Sequence, residues 1–170
     1  MKKWWAITGL LLLISGAVWA NNVTINATVL PADANILFDS YQWNIPLVND
    51  GATPYQNDQQ GVMTVKSGST WIFHIQFSSA NLGYVKQGTD KIAYYVKVTE
   101  LADSYGGIIM SSDIMNGYVQ LTSSKTIQFI GKTPKNGARF AVGIKVNALA
   151  GQFYESGAYA DTMTVTFFVF

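Results

Sequence analysis

The sequence predicts a single all-β domain, and three observations lead to that prediction. Stretches of alternating apolar and polar residues recur roughly every 10 to 20 residues along the chain. Turn-forming residues, chiefly Gly, Pro, Asn and Asp, stand between these stretches. No window of helical length carries apolar residues at the i, i+3, i+4, i+7 spacing of an amphipathic helix. Such a pattern is typical of a β-sandwich or a β-barrel.

The first twenty residues have the composition of a secretory signal peptide. Lys2 and Lys3 form a positive start, residues 4–14 form an apolar run, and Val18-Trp19-Ala20 gives a small-residue cleavage context. The alternative is an uncleaved membrane anchor, for which the apolar run is short. We expect cleavage after Ala20, which leaves 150 of the 170 residues as one exported domain.

Charge and cysteine content exclude several classes of function. Loss of Lys2 and Lys3 leaves nine basic residues against ten acidic ones, with no basic block that would favour nucleic acid or an anionic membrane. The chain has no Cys, which excludes thiol catalysis and cysteine-ligated metals. Its stability must therefore come from packing and strand pairing.

The predicted exported chain begins with an alternating stretch, residues 23–29, which ends at Pro31-Ala32-Asp33. Its apolar positions predict a strand with one buried face. These positions are Val23, Ile25, Ala27 and Val29. Two interpretations stay open: an ordinary first strand of the chain's own sheet, or a strand given to another copy. Alternation resumes over residues 35–43, and residues 46–60 are predicted to be a surface loop.

The middle of the chain supplies the body of the predicted sheets. Residues 70–77 form the best internal strand, with Trp71, Phe73, Ile75 and Phe77 on one face. Residues 91–99 place Ile92, Tyr94, Val96 and Val98 on one face, and residues 139–146 do the same with Phe140, Val142, Ile144 and Val146. Shorter strands are predicted at 61–66, 118–121 and 125–130, with a loop over 78–90 and a turn at Asn136-Gly137.

The last stretch, residues 157–170, carries the strongest alternation in the chain. Met163, Val165, Phe167 and Val169 face one way, and Thr162, Thr164, Thr166 and Phe168 face the other. This predicts a strand with one face in the core that continues to the final residue of the sequence. For a strand in that place we expect no following segment of its own chain to pair with it.

The residues capable of catalysis form no recognisable constellation, so we predict that the protein is not an enzyme. The one histidine, His74, lies in the middle of a predicted strand, where a solvated or hydrogen-bonded side chain is expected. Metal sites built on His and Cys need more such residues than this chain has, so neither a metal nor a cofactor is predicted. Aromatic residues in or near loops, among them Tyr84, Phe153 and Tyr154, fit sugar stacking, lids over the core or subunit contacts.

The two ends together resemble a chaperone–usher pilin, the fimbrial subunit of Gram-negative bacteria. That family carries a Gly fourteenth from the end followed by alternating apolar residues, and Gly157 is the fourteenth residue counting back from Phe170. Val169 stands where the family often has a penultimate Tyr. Without Cys, the chain is closest to the cysteine-free colonisation-factor type, whose exported chains begin with an alternating head and an early Pro. The resemblance covers the two ends, and the middle agrees in being all-β.

The resemblance implies an immunoglobulin-like sandwich that is incomplete, because its last strand is supplied in trans by donor-strand complementation. It divides the chain into a signal peptide at 1–20, an N-terminal donor strand at 21–31 and a pilin domain at 32–170. The donor residues would be Val23, Ile25, Ala27 and Val29. The acceptor groove, which also binds the chaperone, would contain Gly157, Met163, Val165, Phe167, Val169 and Phe170.

The same resemblance implies a function and a set of partners. The protein would pass through the periplasm to the cell surface as a structural subunit of a fimbria that supports adhesion. Its partners would be other pilin subunits, a periplasmic chaperone that grips the Phe170 carboxylate, an outer-membrane usher, and a glycan or protein receptor on a host cell. No nucleic acid is expected.

Two alternatives remain from the residues alone. The first is a small outer-membrane β-barrel, but alternate positions counted back from Phe170 are Phe168, Thr166, Thr164 and Thr162, and three threonines fit a lipid-facing side badly. The second is a secreted carbohydrate-binding β-sandwich that works as a monomer. Removing residues 21–31 would then cost stability within one chain, whereas in a pilin it would abolish polymerisation.

Overall fold

The computed structural model describes residues 34–102, 104–148 and 153–169, together with the backbone of residues 21–27. Within these ranges the chain forms twelve strands and one short helix, α1 (Asp113–Asn116). The strands are β1 (Asn21–Ala27), β2 (Asn35–Phe38), β3 (Gln42–Ile45), β4 (Tyr55–Lys66), β5 (Ile72–Ser79), β6 (Tyr84–Gln87), β7 (Asp90–Ala93), β8 (Tyr95–Glu100), β9 (Ile108–Ile109), β10 (Lys125–Ile130), β11 (Ala138–Val146) and β12 (Ala160–Phe168).

The strands form two sheets around one hydrophobic core, which confirms the all-β prediction. The large sheet has the order β3-β1-β12-β5-β10-β9, and β6 pairs with both β12 and β7 at its side. The small sheet has the order β2-β4-β11-β8. Buried residues from both sheets belong to a single cluster, so the two sheets enclose the core between their inner faces.

Period-2 alternation correctly predicted which side chains point inward in the long strands. Phe73, Ile75 and Phe77 of β5 are fully buried. The predicted inward sets of residues 91–99 and 139–146 are buried as well, at no more than 3% exposure. In each case the polar partners of the alternation lie on the outer face, because successive strand residues point to opposite sides.

Several predicted boundaries were wrong. The predicted strand over 35–43 is two strands, because the chain crosses from the small sheet to the large sheet at Asp39, whose N–H donates to the Val62 carbonyl at 3.1 Å. The predicted loop over 46–60 ends earlier, since β4 begins at Tyr55 and its polar first half pairs with β11. Backbone pairing extends this strand where the side chains show no apolar alternation.

Three further corrections concern shorter segments. Trp71 precedes β5 instead of lying on its inner face, and it is 61% exposed. The predicted loop over 78–90 contains β6. The predicted strand at 118–121 is reduced to a single bridge between Val96 and Val119.

Among the residues described above, no helix combines the length and the apolar character needed to cross a membrane.

Candidate functional site: the groove beside β12

The candidate site is built on β12, whose inner face is part of the core. Met163 and Val165 are fully buried and Phe167 is 3% exposed, while the threonines between them are half-buried on the outer face. On one side β12 pairs antiparallel with β5, from Met163 opposite Ser79 to Phe168 opposite His74. This ladder fixes one edge of β12 within the large sheet.

Aromatic stacking holds the end of β12 against its neighbours. The Phe167 ring stacks on the Phe73 ring with centroids 5.1 Å apart, and Phe73 stacks on Phe129 at 4.8 Å. The rings therefore form a continuous column across β12, β5 and β10. Aromatic pairs at these distances add about 0.5–1.5 kcal/mol each beyond the area that they bury.

The other edge of β12 is occupied by β1 of the same chain. The two strands run parallel, with Asn22 opposite Ala160 at one end and Ala27 opposite Val165 at the other. The far side of β1 pairs antiparallel with β3, from Asn21 opposite Ile45 to Thr24 opposite Gln42. We call the space between β12 and β3 the groove; β1 fills it.

The β3 wall of the groove is apolar and tightly packed. Trp43 and Ile45 are each 2% exposed. The Trp43 ring lies so close to β4 that a Cβ on Gly61 would be 2.4 Å from it, which explains why glycine stands at that position in an otherwise ordinary strand. The floor of the groove is thus the core itself, bounded by Trp43 and Ile45 on one side and by Met163 and Val165 on the other.

A buried polar network lies at the start of β12, next to β1. Asp161, at 4% exposure, accepts hydrogen bonds from the Tyr94 hydroxyl at 2.7 Å, the Ser79 hydroxyl at 2.5 Å and the Asn81 N–H at 3.0 Å. Burial, and then the negative charge of Asp161, raises the pKa of Tyr94 well above its usual value. The network joins β12 to β5, to the residue between β7 and β8 and to the loop after β5.

Sequence reasoning missed this network. The alternation itself carries a signal for this network. Asp161 stands an even number of residues from Met163, Val165 and Phe167, so it points to the same inner face as they do. An acid at an inward strand position needs buried donors, and the tyrosine and serine that supply them lie 67 and 82 residues away in the chain.

The predicted donor and acceptor residues lie together over most of the groove. Ile25 is in register with Met163, and Ala27 with Val165; Val23 is in register with Asp161 on one side and with Trp43 on the other. Val169 lies just past β12 and is 53% exposed, so in this structure it does not line the groove. Val29 and Phe170 lie outside the described residues.

Gly157 lies in the loop before β12 rather than in the groove. Its φ of +150° is a backbone conformation that side chains rarely adopt, and a Cβ there would be 2.2 Å from the Gln87 side-chain amide. Gln87 belongs to β6, and its Nε2 donates to the Ser156 carbonyl at 3.3 Å. The glycine therefore allows the chain to pass β6 closely before β12 begins.

His74 is packed by the end of β12. Its ring stacks on Phe168 with centroids 5.1 Å apart, and the residue is 9% exposed. The stacked pair lies on the outer face of the large sheet, opposite the core rings of Phe73 and Phe167.

Comparison with protein-family models gave no match for this chain, and comparison with curated proteins gave none either.

Proposed function

We propose that this protein is a structural subunit of a surface fimbria, an immunoglobulin-like pilin assembled by donor-strand exchange through a chaperone–usher pathway. In this proposal residues 21–31 leave the groove of their own chain and enter the groove of a neighbouring copy. The observation that supports it is that β1, the first strand of the described fold, lies between β12 and β3 and is held there by backbone pairing on both sides.

Removal of β1 would leave unpaired backbone groups and exposed apolar surface, which another strand could cover. Six paired positions on β12 and four on β3 would lose their backbone partners. Unpaired edge strands are templates for pairing with another chain, and buried backbone groups without partners are costly. The apolar floor, including Trp43 and Met163, would also meet solvent. A subunit in that state would need a periplasmic chaperone until the next subunit arrives.

The groove can accept a strand in either direction. Because β1 is parallel to β12 and antiparallel to β3, the two walls run in opposite directions. Any strand placed between them therefore has one parallel and one antiparallel neighbour. Reversing the strand would put the antiparallel ladder, which is slightly more stable per residue, on the longer wall β12. A strand that arrives from another copy thus has no backbone penalty for docking in the reverse direction.

The predicted donor residues are chemically suited to such an exchange. Val23, Ile25, Ala27 and Val29 would bury apolar surface worth about 1–3 kcal/mol for each large side chain, and each ladder hydrogen bond would add about 1 kcal/mol net. Strand addition to a sheet edge is a general mode of recognition, for which chaperone–pilin complexes are a standard example. The sum is sufficient for a durable fibre exposed at the cell surface.

A second candidate is a secreted β-sandwich that acts as a single chain. The observation that favours it is the place of β1, which completes the large sheet of its own chain. In that case β1 is a permanent first strand, and the protein needs no partner copy to close its core.

Cysteine pairs distinguish the two candidates, because the natural chain has no thiol that could interfere. Ile25→Cys and Met163→Cys are placed on separate chains, which are mixed, unfolded, refolded together and oxidised. Direct cross-strand neighbours lie within disulfide range. Since a reversed strand can change register, Val23→Cys and Ala27→Cys are tested against Met163→Cys and Val165→Cys in the same way. Val98→Cys, on β8 in the small sheet, serves as the acceptor control.

Strand exchange predicts disulfide-linked dimers between a β1 variant and a β12 variant, and none with Val98→Cys. A single-chain sandwich predicts that these mixtures stay monomeric, while a chain that carries both Ile25→Cys and Met163→Cys closes an internal disulfide. Mixtures that stay monomeric, together with an internal disulfide in the doubly substituted chain, would overturn the fimbrial proposal.

A further inference from the structure

A tyrosine-lined cavity lies at the corner where the chain passes from the large sheet to the small one. Its volume is about 260 Å³, and its lining includes Tyr84, Lys91, Ala93, Tyr95, Asn147 and Tyr154. Ligand pockets for drug-sized molecules measure about 300–1,000 Å³, so this cavity suits a ligand of roughly one ring. It is distinct from the groove, since none of these residues belongs to β1, β3 or β12.

The corner is held in place by the buried residue between β7 and β8. Tyr94 donates its hydroxyl to Asp161 and its N–H to the Gly83 carbonyl at 3.0 Å. The residues on either side of it, Ala93 and Tyr95, are half-buried and face the cavity. The cavity floor is therefore anchored to the core rather than to a free loop.

Tyr154 is also held in place by hydrogen bonds. The Asn49 side chain pairs with the Tyr154 backbone in both directions, by Nδ2 to the carbonyl at 2.8 Å and by the N–H to Oδ1 at 2.7 Å. The Tyr154 hydroxyl donates to the Asn147 carbonyl at 2.9 Å. Binding sites gain from such rigid aromatic side chains, because little conformational entropy is lost when a ligand is bound.

Lys91 lines this cavity, and Lys86 lies beside Lys91 on the neighbouring strand. Lys86 and Lys91 are direct cross-strand partners on the outer face of the β6–β7 hairpin, whose inner face holds the buried Val85 and Ile92. The Lys91 ammonium lies 4.9 Å from the centre of the Tyr84 ring. Like charges opposite each other are destabilising, and among the described residues neither lysine has a carboxylate within ion-pair distance.

No carboxylate is among the residues that line this cavity. Glu155 lines an adjoining, smaller cavity of about 40 Å³ together with Tyr159, and the two cavities share Ile92 and Tyr154. Burial, with the charges of Asp90 and Glu155, raises the pKa of Tyr159. Lys91 is thus the only charged side chain among the residues that line the larger cavity.

We propose that this cavity binds a carboxylate-bearing sugar, with the carboxylate at Lys91, beside the second positive charge of Lys86, and the sugar ring against the tyrosines. Tyrosine rings offer apolar surface to the C–H faces of a sugar, and their hydroxyls and the Asn147 amide can exchange hydrogen bonds with its hydroxyl groups. Paired ammonium groups supply the charge that a carboxylate needs. The site exists within one chain, so it is independent of whether β1 exchanges between copies.

The test is NMR titration of the exported chain with three probes. Sialyllactose carries the acidic sugar, lactose is its neutral counterpart, and sodium acetate is a carboxylate without a ring. We expect sialyllactose to shift the ring resonances of Tyr84, Tyr95 and Tyr154 at millimolar concentration. We expect lactose and acetate to bind much more weakly. Equal binding of acetate would mean that the lysines attract any small anion, and equal binding of lactose would mean that the charge has no role; either result overturns the proposal.

Matched variants locate the site. Lys91→Gln should weaken sialyllactose binding by about fivefold, the size of one exposed ion pair. Lys132→Gln removes the same charge from the turn after β10 and should leave binding unchanged. Tyr95→Thr keeps a residue suited to a strand and should abolish the shifts. If Tyr95→Thr fails to fold, the two lysine variants and the shift map decide the question. Unchanged binding in Lys91→Gln, or shifts confined to other tyrosines, would overturn the proposal.

Discussion

The β4–β11 pair in the small sheet and the β1–β12 pair in the large sheet each cover one edge of a central strand, but with neighbours of different kinds. β11 lies between β4 and β8, both antiparallel to it, and its contact with β4 covers eight registered positions with one irregularity between Val142 and Ile144. β12 pairs antiparallel with β5 over six positions and with β6 at Ala160, while β1 is parallel to it over six positions. The small sheet is closed by strands from the middle of the chain, but the large sheet depends on β1, the first strand of the described fold.

This difference indicates which strand can leave its sheet while the rest of the domain stays folded. β4 is continuous at both ends with other strands, so it cannot leave without unfolding the small sheet. β1 is attached to the rest of the described fold at one end, through residues 28–34, and its parallel ladder is the weaker kind. In the fimbrial proposal the exchangeable strand is therefore β1, and the β4–β11 pair is the part that stays folded throughout.

The largest expected effect is on assembly. In the fimbrial proposal the purified protein forms multimers that dissociate on heating. Ile25→Asp puts a charge into β1 at the position in register with buried Met163, so we expect these multimers to disappear while the rest of the domain stays folded. Asn26→Asp adds the same charge at the next position of β1 and should leave multimers intact. Gel migration with and without heating measures both. Multimers that persist in Ile25→Asp would show that β1 is not the donor.

The next largest effect is expected in the small sheet, at the β4–β11 pair. Phe140 is fully buried in β11, where it packs against Phe129 with ring centroids 5.5 Å apart. Phe140→Ala should lower the free energy of unfolding by about 3–5 kcal/mol, through lost burial and the cavity left behind. Urea denaturation followed by fluorescence measures it. A loss below about 1 kcal/mol would mean that the small sheet is not the stable part of the molecule.

The network beside β1 should show a smaller effect that depends on pH. Tyr94→Phe removes one of the donors to buried Asp161, so we expect a loss of about 1–3 kcal/mol at neutral pH. The folded-state pKa of Tyr94 is raised, so native Tyr94 keeps its proton where the unfolded chain loses it. Its contribution is therefore complete below pH about 10 and falls as pH rises above that value.

Denaturation curves at neutral and alkaline pH measure this prediction. The difference in stability between the natural chain and Tyr94→Phe should shrink as the pH rises above about 10. Burial, and then the charge of Glu100, also raises the pKa of Tyr105, to about 12. Tyr105 is present in both proteins, so its titration does not contribute to the difference between them. A difference that stays constant with pH would show that the pKa of Tyr94 is the same in the folded and the unfolded chain.

The smallest expected effect is at the loop before β12. Gly157→Ala introduces a Cβ at a φ of +150° and displaces the Gln87 amide, at a cost of about 1–2 kcal/mol. Gly106→Ala is a suitable control, because its Cβ would meet nothing within 4 Å and no positive φ is involved. Thermal melting measures both variants. Equal melting temperatures would mean that the loop before β12 adapts to a side chain without cost.

The sequence by itself determined the class of fold, the places of the long strands and the side of each strand that is buried. The alternation correctly predicted that Phe73, Val96, Val142 and Val165 point inward, because alternation is a local property of a strand with one face in a core. It failed at Trp71, which lies just before β5, and at residues 55–60, where pairing continues without apolar side chains.

Only the tertiary structure decided which strands become neighbours. Alternation reports that a face is buried but not against what, so the parallel pairing of β1 with β12 and the burial of Asp161 against Tyr94 were beyond sequence reasoning. Both depend on residues brought together from distant parts of the chain. The tyrosine cavity has the same origin, because its lining comes from β6, β7, β8 and the segments after β11.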